Sequence, residues 1–470
     1  MTELPNPHEY TAIKGLMRLL AYQNNGPADG TGSHVLAAQA RNLLGPHTPP
    51  IMVQYSTATQ MNLFGDYPDH RDIAPSALFI ALFAIVMLLH LTIFIINYSR
   101  GHYFWLSLGW VFYAACRMIG FALRIVWSYD LTQTAIGITS EVFLIVPTVL
   151  IVSFNLILAQ RIFTWRHPVG GSCRIFWALM LTLYAVVAGV VAMTIVASAG
   201  INIYLLGEPN FARYKKVIMC TSILIICYSL TSISLLALAY FLKPTTNDEN
   251  LYTYQPWWIE SFAPTYFVKK GEPQIAAASF LKRNHNHRHA IRVIAATHNH
   301  HKQVKGLTNQ RGTLTHNVSI IIVTITTIII FVDSILRAVV VFQARMKYFT
   351  SNVGKAPVMY VFWGAFEIII NLLYIIGRVD LRFYRPDRLP KDVRNIVTAE
   401  QSLYTSEIED EDEEMSKHED TKFENEEEEE DEFFFDDDED DGFEFNTPAQ
   451  KTTAPYPTKE KLDTESEFHF

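Results

Sequence analysis

Residues 318–343 read VSIIIVTITTIIIFVDSILRAVVVFQ, and residues 357–377 read PVMYVFWGAFEIIINLLYIIG. Both runs are apolar almost throughout and do not alternate. At ~1.5 Å per residue, each is long enough to cross the ~30 Å hydrocarbon core of a bilayer as a helix. Five more blocks share this character, at 76–98, 103–127, 134–160, 175–199 and 217–242. One such block can be a buried helix of a soluble protein. Seven in one chain predict an all-α membrane protein with seven transmembrane helices. A barrel is excluded, because its strands alternate apolar and polar residues.

The surrounding composition agrees. Of 470 residues half are hydrophobic and 18% are charged, with a net charge of −9, and the mean hydropathy is +0.13. The charge is unevenly spread. Residues 400–470 hold 29 acidic and 5 basic side chains, net −24, which leaves +15 of the overall −9 to residues 1–399. These figures exclude a collagen, a disulfide framework and a wholly disordered chain. They divide the chain into a polar extracytoplasmic segment (1–75), spans one to five (76–242), a long basic His-rich cytoplasmic loop (243–317), spans six and seven (318–377), a basic juxtamembrane segment (378–398) and an acidic tail (399–470). The tail interleaves Phe433, Phe434, Phe435, Phe443 and Phe445 with acidic runs. It cannot bury enough apolar surface to form a core and is expected to be disordered.

Lys and Arg near the span ends set the expected orientation. Arg100, then Arg161, Arg166 and Arg174, then Lys302, Lys305 and Arg311, then Arg378, Arg382, Arg385, Arg388, Lys391 and Arg394 all fall on one side. That side is expected to be cytoplasmic, with the N-terminus outside and the C-terminus inside. Two outer loops run against the trend, one with Arg213, Lys215 and Lys216, the other with Arg345, Lys347 and Lys355. No signal-peptide pattern precedes Pro75, so span one is expected to act as its own anchor. Cys116, Cys220 and Cys227 lie in spans and Cys173 in an inner loop, so no outer disulfide is expected. The sequon Asn317-Val318-Ser319 falls at the inner membrane edge, where it would stay unmodified.

Ionisable residues at membrane depth are the candidate functional residues, since each costs several kcal/mol unless paired or hydrated. They are Arg117 and Arg124 in span two, Glu141 in span three, Asp333 and Arg337 in span six, and Glu367 in span seven. Arg117 and Arg124 share a helix face, and Asp333 and Arg337 stand at i, i+4 in the order that favours an ion pair. Each of the six lies three to ten residues from the outer end of its span, so all fall in the outer half of the bilayer. Three cations match three anions there. This pattern suits a polar cavity between spans two, three, six and seven that binds a polar or zwitterionic ligand or a lipid headgroup. It equally suits salt bridges that fix helix packing, or Arg124 and Arg337 reaching to outer headgroups. An isolated His90 reads as a packing residue, Pro147 as a kink beside Glu141, and Ala185 with Gly189 as a close helix contact.

On the inner side, Tyr252, Tyr254, Trp257 and Trp258 suit a membrane interface. His285, His287, His289, His298, His300 and His301 cluster in the same loop. They are weak metal candidates, against a basic loop that lies on anionic lipid or meets a partner. Leu381, Phe383, Tyr384 and Leu389 among bases suggest a segment lying on the membrane surface. No phosphate-binding loop, zinc-finger spacing or Gly-x-Ser-x-Gly elbow is present, and no cofactor or enzymatic activity is expected. Expected partners are membrane lipids and a cytoplasmic protein at the 243–317 loop or the tail, with no nucleic acid. The plasma membrane is the favoured location.

Three motifs carry a family resemblance. They are Ser153-Phe-Asn-Leu-Ile-Leu-Ala-Gln-Arg161 with Arg166-His-Pro168, Asp333-Ser-Ile-Leu-Arg337, and Glu367 leading to Arg382-Phe-Tyr-Arg-Pro386. Across spans two to seven the chain resembles a fungal seven-helix family of unknown function, sometimes labelled family-C-like G-protein-coupled receptors. More loosely it is similar to the fungal lipid-translocating exporters. The resemblance implies a receptor-like or sensor protein, with a transporter or lipid translocator as the alternative. A membrane scaffold that recruits a partner through its acidic tail is a further one. Family-A receptor signatures are absent, although Asn371-Leu-Leu-Tyr374 is an echo of one.

Overall fold

The computed structural model describes residues 12–45, 48–171, 173–242, 259, 261–275 and 316–384. The six loop histidines, Trp257, Trp258 and the acidic tail lie outside the described residues. Within them there is no strand, only a single bridge between Met61 and Met346. Spans one to six are Ile73–Ser99, Leu106–Tyr129, Thr134–Arg166, Arg174–Ile203, Glu208–Phe241 and His316–Gln343. Span seven is Ala356–Ile376.

All seven are long and apolar enough to cross a membrane. Leu78, Ile85, Leu88 and Ile95 of span one, Leu179 and Val196 of span four, and Ile321, Ile325 and Ile328 of span six remain exposed on the outside of the bundle. A belt of this extent would aggregate in water, whereas lipid solvates it. The protein is an all-helical integral membrane protein with seven spanning helices.

Span three is the axis of the bundle and packs on spans two, four, five and six. Its apolar window is 56% buried, against 22% for spans one and four, which are therefore peripheral. Span seven closes the bundle against spans one and six. It contains a π-helical segment, Tyr360–Phe366, immediately before Glu367. Gly364 within it lies so close to span one that an added Cβ would come 2.5 Å from Phe79.

The first 72 residues do more than lead into span one. Helices α1 (Ala12–Gln23), α2 (Ser33–Leu44) and α3 (Pro50–Thr59) form a cap over one end of the bundle. The Ala28 and Gly32 amides donate to the carbonyls of Leu206 and Ile201, and the Asn62 and Gly65 amides to those of Arg345 and Gly354. The cap is thus tied to the last turn of span four and to the loops after spans four and six.

At the opposite end, residues 261–275 form a strap. The Arg378 guanidinium donates to the carbonyls of Pro264 and Tyr266 and pairs with Asp380 at 2.7 Å. Asp380 also accepts from Asn97, and its carbonyl meets His102 Nε2 at 3.0 Å. Leu381 and Phe383 are fully buried here, with Arg161 donating to the Phe383 carbonyl at 2.5 Å. The expected surface-lying segment is therefore, at these residues, interior packing. The reason is that the strap offers backbone acceptors for Arg378 and an apolar bed of Ile259 and Val268 for Leu381.

Two other expectations change. Ala185 and Gly189 are exposed, and nothing lies within 4 Å of a Cβ built on Gly189, so they make no close helix contact. Span five begins at Glu208, so Arg213, Lys215 and Lys216 ride on its first turns and are not in a loop. At 34 residues that helix is longer than the ~30 Å core requires and projects beyond it. His90 is buried against Asn371 as a packing residue, at 3.3 Å. The four cysteines are free.

His102 yields a test. Its ring is buried and stacked on Tyr384, and its Nδ1 has no hydrogen-bond partner. Burial pushes its pKa below the ordinary value; Asp380 opposes the shift and Arg378 adds to it. The folded state thus binds fewer protons at His102 than the unfolded state does. Stability should fall as pH drops below about 6.5, by at most about 1.4 kcal/mol per pH unit for this group. Thermal unfolding of detergent-purified protein between pH 7 and 5 should show a slope that His102→Gln reduces.

Candidate functional site

The face of span two that carries Arg117 and Arg124 turns inward, where both side chains are fully buried. Arg117 forms a two-pronged pair with Glu367. Its Nε donates to Oε2 at 2.5 Å and its Nη2 donates to Oε1. The remaining donors go to the Leu144 carbonyl and to Thr148 Oγ1. Pro147 has no amide hydrogen, so it breaks the span-three ladder at Phe143, beside the Leu144 carbonyl that Arg117 uses. Tyr113 donates its hydroxyl to Glu367, and the Trp363 ring lies 4.8 Å from the Arg117 guanidinium.

Trp363 connects this pair to span six by donating Nε1 to Asp333 Oδ2 at 3.1 Å. The expected Asp333–Arg337 ion pair does not form. Asp333 is taken by Trp363 and faces Arg117, and its Oδ1 has no partner. Arg337 is only 4% exposed, so it does not reach headgroups. Among the described residues no hydrogen bond or ion pair is made by its guanidinium, which lies in electrostatic range of Asp333 and Glu141.

Arg124 does not reach headgroups either. It donates to the carbonyls of Gly65 (2.6 Å) and Asp66 (3.1 Å) and to the Tyr360 hydroxyl (3.3 Å). Two carboxylates flank it, Asp72 at 3.6 Å and Glu141 at 3.9 Å. Neither Arg124 Nη1 nor Glu141 Oε1 has a hydrogen-bond partner. Tyr360, at the start of the π segment, donates to the Asp72 carbonyl and shares a hydrogen bond with Ser76.

A cavity of about 70 Å³ opens between the cap and spans two to four. Of the six candidate residues, Glu141 lines it, and the cavity lies under the cap rather than between spans two, three, six and seven. Its walls include Leu20, Ser33, Ser56, Thr57, Gln60, Tyr67, Trp127, Thr134 and Asn202. Burial, with Glu141 and Asp66 nearby, raises the Tyr67 pKa, so its phenol stays neutral.

Sequence reasoning missed several members. Asp72 is 6% exposed and makes the cluster four acids against three bases. It sits just before the apolar run of span one, with Asp66 and Asp69, and a search restricted to the span excluded it. Towards the other end a second polar group follows: Asn155 accepts from Tyr374 and donates to Thr326 and Thr327 at 3.2 Å. Asn371 donates to the Glu367 carbonyl. The Asn371-Leu-Leu-Tyr374 echo was the available signal. Among the described residues no group of three potential ligands could hold a metal ion.

The Arg117–Glu367 pair makes a clear prediction. Glu367→Ala leaves a buried guanidinium uncompensated and should cost about 3–5 kcal/mol. Replacing both partners, Arg117→Met with Glu367→Leu, should cost much less. Unfolding in detergent micelles compares the two; equal losses would contradict the pairing.

Residues 168–384 are similar to a family described as "Protein of unknown function (DUF3112)". The matched stretch holds Asp333, Arg337 and Glu367 but stops short of Arg117, Arg124 and Glu141. No curated protein and no solved structure matches the chain.

Proposed function

We propose that the protein is a receptor-like sensor whose ligand enters from the capped face and is held above Glu141. The basic residues at the other end of the spans support an N-terminus outside and a C-terminus in the cytoplasm, which makes the capped face the outer one. The resemblance to the family-C-like seven-helix proteins points the same way. The observation that carries the reading is the half-made contact between Glu141 on the cavity wall and Arg124 behind it. Glu141 and Arg124 lie 3.9 Å apart, and each keeps a buried polar atom without a partner. Such groups are costly to leave unmade and are satisfied by a ligand.

Arg124 gives the site a mechanical output. It links the cap, through the Gly65 and Asp66 carbonyls, to Tyr360 at the start of the π segment of span seven. A ligand that changes the Arg124–Glu141 contact therefore acts on the segment that presents Glu367. The reading is of a binding protein and not of an enzyme. A lipid translocator is the second reading, and buried Arg337, which makes no ion pair among the described residues, favours it, since an anionic headgroup would complete it.

A small-molecule thermal-shift screen on purified protein tests the proposal. The expected result is a stabilising compound whose shift disappears in Glu141→Gln, while that variant still inserts and accumulates normally. Reconstitution into liposomes with labelled lipids separates the two readings: protein-dependent redistribution between leaflets would replace the sensor by a translocator.

A further inference from the structure

We infer that the cavity under the cap takes a small primary ammonium ion, with the cationic nitrogen on Glu141 and Gln60 and the alkyl body against the aromatic wall. This rests on the sensor reading and names its ligand class. Three observations point to a cation that donates hydrogen bonds.

The first is the polarity of the unmet groups. Among the residues lining the cavity, Glu141 Oε1 and Gln60 Oε1 are buried without hydrogen-bond partners. Both are acceptors. Trp127 Nε1, a donor on the same wall, is already satisfied by the Leu131 carbonyl. An anion would add a third acceptor, whereas an ammonium supplies the missing donors.

The second is charge balance. Asp72, Glu141, Asp333 and Glu367 face Arg117, Arg124 and Arg337, all less than a tenth exposed, so four carboxyl groups meet three guanidinium groups. Glu367 is held by both prongs of Arg117. Arg124 retains Asp72 and two carbonyls if Glu141 turns to a ligand. Glu141 is the carboxyl group of the cluster that borders the cavity, so it is the one without a guanidinium of its own that a cationic ligand would meet.

The third is the wall. Tyr67 and Trp127 both line the cavity with ring centroids 5.3 Å apart, and the Tyr67 ring already takes one ammonium, Lys347 Nζ at 5.1 Å. Aromatic faces attract cations, more strongly where water is excluded. At about 70 Å³, the space is that of roughly five waters, enough for a short-chain amine.

Isothermal titration of the full-length protein in lipid nanodiscs tests this with n-butylammonium chloride, against butan-1-ol and sodium butyrate as neutral and anionic counterparts. Saturable binding of butylammonium alone is expected, weakened at least tenfold in Glu141→Gln. Ser56→Trp, which fills the cavity from α3 and leaves Glu141 in place, should abolish it and serves if Glu141→Gln misfolds. Butyrate binding as tightly as butylammonium, ammonium binding unchanged in the variants, or no binding of any of the three would overturn the inference. A stabilising compound that depends on Glu141 but is not an amine would leave the sensor reading standing and remove only the ligand class. If no compound depends on Glu141, both fall.

Discussion

A guanidinium locked to a carboxylate at hydrocarbon depth is the constraint around which the rest of this bundle is arranged. Inside a bilayer, apolar packing gives little reason for one helix to prefer another, because lipid tails are as apolar as leucine. Orientation of helices then falls to polar contacts that lipid cannot replace. Arg117 makes such contacts with spans three and seven at once, through Leu144, Thr148 and Glu367. Trp363 extends the set to Asp333 on span six. Four spans are thereby oriented by one cationic side chain and the groups that satisfy it.

From that centre, polar groups continue towards both faces. Towards the cap they run through Tyr360, Ser76, Asp72 and Arg124 to Glu141. Towards the strap they run through Asn371 and the Asn155–Tyr374 group to Asn97, Asp380 and Arg378. The two ends differ in completeness. Arg378 and Asp380 are held by the strap, Asn97 and each other, and the buried atoms left unpartnered beside them, Asn97 Oδ1 and His102 Nδ1, belong to an amide and an imidazole and not to the ion pair. Arg124 and Glu141 each keep an unpartnered atom, and Arg337 makes no ion pair among the described residues. A completed ion pair holds shape, and an incomplete one leaves contacts for a ligand to make.

Much of this was legible in the chain. The seven spans were, because lipid demands continuous apolarity and leaves a signal in composition alone. The six intramembrane charges were too, because ionisable residues are rare there. Their partners were not. Helical spacing favours Asp333 with Arg337, but it compares only neighbours on one helix. The competing donor, Trp363, comes from a helix adjacent in space. Asp72 escaped because it lies outside the apolar block, although the helix carries it inward. The cap escaped because its helices are short and polar, and what fixes them is backbone pairing with loops far away in sequence. Leu381 and Phe383 looked like lipid anchors because nothing local distinguishes an apolar residue facing lipid from one facing a strap.

The π segment of span seven stores a register. Such a turn is an α-helix that has absorbed an additional residue, and its position along the helix is not fixed by covalent geometry. If the bulge migrated past Glu367, the residues it crossed would rotate by about 100° about the helix axis, the angular step of one residue. Glu367 would leave Arg117, and Phe366 would take its place against the guanidinium. The helix ends would stay where they are, held by the loop at Gly354 and by the strap at Arg378. Span seven therefore has a way to exchange the residue it offers to the centre of the bundle without any span having to tilt or slide.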